Sequence, residues 1–92
     1  MKKITMLKMQ GCPYCAQAMA AIKEIKADYP ELAGVEVEIV DKHTDDRAKD
    51  FEGKYYYVPS MFIDGEKIYE ASPGESYGDC LISVKKVFRA AV

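Results

Sequence analysis

Ninety-two residues carry 13 Lys and Arg against 15 Asp and Glu, a formal net charge of −2, with 49% of positions apolar. That length sets one domain with one modest core, and so slight a charge imbalance gives no electrostatic reason to expect nucleic acid or an anionic membrane as partner. No apolar run approaches the ~20 residues of a membrane-spanning helix, and an odd cysteine count of 3 weighs against a secreted disulfide scaffold. Met1-Lys2-Lys3 is basic, but the apolar stretch behind it is too short for a signal peptide and is interrupted by Lys8. A cytoplasmic location is expected.

In chain order, Ile4-Thr5-Met6-Leu7-Lys8-Met9 is short and apolar, which predicts a central strand. Gln10-Gly11 breaks it, and Cys12-Pro13-Tyr14-Cys15 follows. From Pro13 the spacing becomes helical. Ala16, Met19, Ala20, Ile22, Ile25 and Lys26 recur at threes and fours, which predicts the core-facing stripe, with Lys23, Glu24 and Asp28 on the other side. Pro13 suits a first helical turn, and Tyr29-Pro30 ends the helix. Val35 to Val40 alternates apolar and acidic residues, the pattern of a half-buried strand, with Glu36 and Glu38 on the wet face of an edge strand. Asp41 to Thr44 reads as a turn with Thr44 as N-cap, and a short polar helix is expected over 45–52, closed by Gly53.

Tyr55 to Ile63, then Asp64-Gly65, then Glu66 to Tyr69 is a hairpin signature with a two-residue turn, and alternating burial is expected for Tyr55, Tyr56 and Tyr57. Ala71 to Gly78 is a loop. A last helix takes Leu81, Val84, Val87 and Phe88 inward and leaves Lys85, Lys86 and Arg89 exposed. The order is β-α-β-α-β-β-α. A β-α-β unit demands a parallel pair, the hairpin adds antiparallel strands, and the expected fold class is α/β: a four-stranded mixed sheet flanked by three helices.

The chemistry gathers at Cys12-Pro13-Tyr14-Cys15. A strand running into a helix start places Cys12 at the helix N-terminus, where unpaired N–H groups and the positive end of the dipole favour a thiolate, which is the reactive form. Cys15 lies one turn along, within reach of a disulfide, deeper and less exposed, and is expected to have the higher pKa. A structural zinc site is the alternative use of these thiols, with Cys80 and His43 completing a ligand count, but no second Cys-x-x-C exists. Cys80 reads as a small buried residue at a helix start rather than a regulatory thiol. His43 reads as solvated.

Cys12-Pro13-Tyr14-Cys15, Val58-Pro59 and Phe62-Ile63-Asp64-Gly65, in this order and separation, resemble the glutaredoxins of the thioredoxin-fold superfamily over essentially the whole chain. The resemblance implies a thioredoxin fold and a cis Val58-Pro59 bond facing the dithiol. It also implies a thiol–disulfide oxidoreductase using Cys12 and Cys15 as catalytic residues, with no tightly bound cofactor and no metal. Glutathione would be co-substrate, contacted by Tyr14, Val58, Pro59, Lys8, Arg47, Gly78 and Asp79, with Lys49 and Lys54 as further cations. Where the family carries a lysine three residues before the first cysteine this chain has Met9, and the family's glycine pair after the hairpin is absent. A thioredoxin-reductase-coupled donor with little glutathione use is therefore an alternative, and a glutathione-assisted iron–sulfur carrier is another. Expected partners are glutathione or a disulfide reductase, together with disulfide-containing proteins, acting on a monomer.

Overall fold

Strand β1, Ile4–Lys8, is the axis of the molecule: Ile4, Met6 and Leu7 are all fully buried, so both of its faces are covered. A computed structural model describes residues 1–92 and places β1 between two neighbours. It pairs in parallel with β2, Val37–Asp41, and antiparallel with β3, Ser60–Ile63, while β4, Glu66–Glu70, pairs antiparallel with β3. The sheet order is β2-β1-β3-β4, so the expected four-stranded mixed sheet forms, with β2 as an edge strand. Glu38 on that edge is held by Lys3 and Arg47.

Helix α1, Pro13–Asp28, begins where Pro13 costs no hydrogen bond. Its buried stripe is Cys15, Ala18, Ala21, Ile22 and Ile25. This corrects the sequence expectation for Ala16, Met19 and Ala20, which are exposed, with Met19 at 45%. The helix carries more apolar residues than one face can bury, and the stripe running through Cys15 and Ile25 is the one that joins the core. A 3-10 turn over Pro30–Leu32 drops Leu32 into the core, and Val35 follows as a second fully buried plug, so β2 starts at Val37 rather than Val35.

The short polar helix over 45–52 exists as a 3-10 helix, Asp46–Phe51. Its N-cap is Asp45, which accepts the Arg47 N–H, and not Thr44, whose own N–H donates to Asp41 Oδ1. Six residues between a turn and a glycine leave little room for an α-helical nucleus. Ala48 is buried, and the Phe51 ring lies 4.7 Å from that of Phe62.

The hairpin forms as read: Ile63 pairs with Glu66 across Asp64 (φ 52°) and Gly65 (φ 80°), the left-handed pair that a two-residue turn requires. Its first strand is shorter than the sequence suggested. Val58-Pro59 is cis, Pro59 has no N–H to pair, and the N–H groups of Tyr56 and Tyr57 both donate to Glu70 Oε2 at 2.6 Å instead of to a strand. The expected alternation of the three tyrosines fails for the same reason: Tyr55 is half-buried, whereas Tyr56 and Tyr57 are both exposed.

Helix α2, Tyr77–Ala91, is capped by Ser76, which accepts the Asp79 N–H, and buries Cys80, Val84, Val87, Phe88 and Ala91. Leu81 is half-buried, and Lys85 is not the free surface lysine expected. Its Nζ sits 4.9 Å from the Tyr29 ring centroid and donates to Tyr29 Oη at 3.0 Å, tying α2 to the end of α1. One core of 24 buried residues runs through sheet and helices. No helix is long and apolar enough to cross a membrane.

Candidate active site

The end of β1 and the start of α1 bring Cys12 to the N-cap of α1, in extended conformation (φ −91°, ψ 112°). Its Sγ accepts the Cys15 N–H at 3.1 Å, one of the donors that a helix start leaves unpaired. On its other side Cys12 Sγ lies 3.6 Å from the Val58 carbonyl oxygen, so the cis-proline loop faces the dithiol as the resemblance implied. Val58 N–H takes part in no hydrogen bond of the protein. All three cysteines are free thiols.

Cys15 shows the burial and the raised pKa expected of it. Cys12 is 8% exposed and Cys15 4%. Burial pushes the Cys15 thiol up to about 12, hydrogen bonding with Cys12 adds to the rise, and the nearby Lys8 charge opposes it only in part. Cys15 therefore holds its proton, while Cys12 Sγ stands at the helix terminus. A consequence follows for stability. The folded chain keeps the Cys15 proton above the ordinary value of 9.0 at which an unfolded chain releases it, so the native state binds more protons and stability falls as pH rises from about 9 towards about 12. Burial raises Cys80 in the same direction. Urea titrations followed by far-UV circular dichroism should show reduced wild type losing stability between pH 8 and pH 10, and Cys15→Ala losing less. An identical slope in the two proteins would remove Cys15 as the cause.

Tyr14 sits in the first turn of α1. It is half-buried, and its Oη accepts the Gly74 N–H at 2.6 Å. Gln17 Nε2 donates to the Glu75 carbonyl at 3.3 Å, Tyr69 Oη donates to the Glu75 carboxylate, and the Ala71 N–H donates to Pro59 O at 3.0 Å. The loop after β4 is thus fastened at one end to the cis-proline and at the other to the helix that carries the dithiol. Nothing in the local sequence signals this, since the partners lie 58 and 60 residues apart.

Beside the dithiol a groove of about 530 Å³ opens, walled by Met9, Cys12, Cys15, Ala16, Met19 and Ile39. Lys8 also lines it, with Nζ 3.9 Å from Asp41 Oδ2. Arg47 does not reach this groove. Its guanidinium is bound to Glu38 at 2.8 Å and to Asp45, and that bond holds the Asp45 carboxyl down to about 2. Gly78 and Asp79 are exposed in the first turn of α2, where Ser76 already takes the Asp79 N–H, so that group is not offered to a ligand carboxylate. Lys49 and Lys54 lie about the 3-10 segment, away from the dithiol groove, with Lys49 3.9 Å from Asp46 and Lys54 over the Phe51 ring. Cys80 is fully buried, with Sγ 3.6 Å from Tyr69 Oη, and His43 is exposed in the turn after β2.

No protein-family model matches the chain, and no curated protein matches it. Among solved structures it is similar to thioredoxin 1 from the thermophilic eubacterium Thermosipho africanus TCF52B, with a TM-score of 0.56 and 16% identity over 96% of each chain. The chain has the thioredoxin fold. In this fold the carboxyl end of the buried strand β1 leads Cys12 to the N-terminus of α1, and the cis Val58-Pro59 bond lies against it.

Proposed function

We propose that this chain is a thiol–disulfide oxidoreductase of the glutaredoxin-like dithiol type, reducing protein disulfides or glutathione mixed disulfides. The observation that carries the reading is the setting of Cys12 Sγ: it receives the Cys15 N–H at 3.1 Å at the start of α1 and faces the Val58 carbonyl, beside a Cys15 that keeps its proton. Cys12 as thiolate attacks one sulfur of the substrate disulfide. A Cys12–substrate disulfide forms, the substrate S–S bond breaks, and the departing thiolate takes up a proton. Cys15 then gives up its proton and attacks Cys12 Sγ, which releases the second substrate thiol and leaves a Cys12–Cys15 disulfide. Two electrons and two protons have passed from the dithiol to the substrate. A thiol donor restores the dithiol, either glutathione or a disulfide reductase, in a compartment that keeps thiols reduced. Val58 N–H, free beside Cys12, suits the carbonyl of an extended peptide carrying the target cysteine.

The test is a thiol count. Reduced protein treated with an equivalent of a small disulfide should lose two thiols, and peptide mapping after alkylation in denaturant should find Cys12 joined to Cys15 with Cys80 alkylated. Retention of all three thiols, or a disulfide engaging Cys80, would overturn the reading.

A further inference from the structure

The loop after β4 turns on Ser72-Pro73-Gly74-Glu75. The Glu75 N–H closes the turn on Ser72 O at 3.0 Å, with Pro73 second and a left-handed Gly74 (φ 83°) third. That is the pattern of a type II turn, whose closing bond makes no use of the third residue's N–H. Here that N–H leaves the loop and donates to Tyr14 Oη at 2.6 Å, on the residue between Pro13 and Cys15. We propose that this turn is a strap holding the start of α1 and the cis-proline loop in register while Cys12 attacks, and that Tyr14 is the positioning residue that fastens it.

The inference rests on the oxidoreductase reading and says how its site stays assembled during the reaction. The hydrogen bond that runs directly from α1 to the cis-proline loop is the Cys12 thiol donating to Val58 O at 3.6 Å. It needs the thiol hydrogen. Cys12 as thiolate, or joined to a substrate sulfur, has none to give, and a thiolate is repelled by the carbonyl oxygen it faced. The direct link is therefore lost at the step that needs alignment most. The strap depends on neither site sulfur. One end is fixed to the cis-proline loop, where the Ala71 N–H donates to Pro59 O at 3.0 Å. The other is fixed to α1 by Tyr14 and by Gln17, whose Nε2 donates to Glu75 O at 3.3 Å. These two residues are three apart in the sequence, so both fastenings lie on one face of the helix. Tyr69 Oη donates to the Glu75 carboxylate and ties the turn back to β4. Displacement at sulfur tolerates little misalignment, since about 1 Å of misplacement can cost about a hundredfold in rate.

Tyr14→Phe keeps the ring and removes the acceptor of the Gly74 N–H, and Gln17→Ala removes the second fastening. The probe is the disulfide-linked dimer of a Ser-Cys-Ser peptide. Single-turnover release of peptide thiol gives a maximal rate and a half-saturating concentration. Alkylation of Cys12 by iodoacetamide is measured beside it, because that reaction needs no alignment with the cis-proline loop. Tyr14→Phe should lower the maximal rate about tenfold or more, with the half-saturating concentration and the alkylation rate little changed, as for a group that acts in the transition state. Gln17→Ala should lower the same rate, and the two losses should not multiply in the double variant, as for residues of one network. An undiminished rate in Tyr14→Phe, a loss carried by the half-saturating concentration, an equal fall in alkylation, or losses that multiply overturns the strap while leaving the oxidoreductase standing. Wild type that releases no peptide thiol overturns both.

Discussion

Cys12→Ser should abolish disulfide reduction, with a loss of roughly a thousandfold or more, as expected when the attacking group itself is removed. A serine hydroxyl at the α1 N-cap still accepts the Cys15 N–H and still caps the helix, so the fold has no reason to change. The chemistry has every reason, because a hydroxyl near neutral pH supplies almost no anion and sulfur is the better nucleophile and leaving group. Cys15→Ser should behave differently. The first attack by Cys12 proceeds, no second thiol follows, and a Cys12–substrate mixed disulfide accumulates that non-reducing mass spectrometry detects. If glutathione is the donor, adding it frees Cys12 from that adduct; if a disulfide reductase is required, the adduct persists. Turnover by Cys12→Ser at wild-type rate would end the proposed mechanism.

Phe62→Ala is expected to cost about 3–5 kcal/mol, the usual range for emptying a buried aromatic site. Phe62 is 1% exposed on β3, and its ring lies 4.7 Å from Phe51 and 6.3 Å from Tyr55. The three rings cover the sheet face on the side of the 3-10 helix. Small domains have only about 5–15 kcal/mol in total, so the loss takes a large share. At this chain length it corresponds to a fall in Tm of about 15 °C or more. The chain has no Trp, so thermal unfolding is best followed by far-UV circular dichroism. Phe62→Leu, which keeps most of the volume, should lose much less. A fall of only a few degrees in Phe62→Ala would mean that Phe51 and Tyr55 collapse into the space.

How much was legible varies with the range of the interaction. The hairpin was readable because Asp64-Gly65 imposes its own backbone angles. The dithiol was readable because its placement needs only a strand, a break and a helix in succession. The α1 face was misread because two stripes satisfied the same spacing, and only the packing of Cys15 and Ile25 against the sheet chose between them. The length of β3 was misread because the carboxylate that diverts the Tyr56 and Tyr57 N–H groups, Glu70, comes from β4. Tyr14, Gln17, Gly74 and Glu75 gave no joint signal, since each is an ordinary surface residue until the loop after β4 folds back on α1.

The sequence by itself determined the element order and the turn chemistry. It also determined where the cysteine pair lies, with Cys12 at a helix start and Cys15 one turn behind, because spacing along one chain is a local property. Tertiary structure decided what surrounds that pair. It set Val58 O against Cys12, tied the loop after β4 to Tyr14, and left Ala16 and Met19 of α1 on a groove beside Ile39 of the edge strand. Those contacts join residues tens of positions apart, and they exist only once burial of the sheet has fixed which face of each element turns inward.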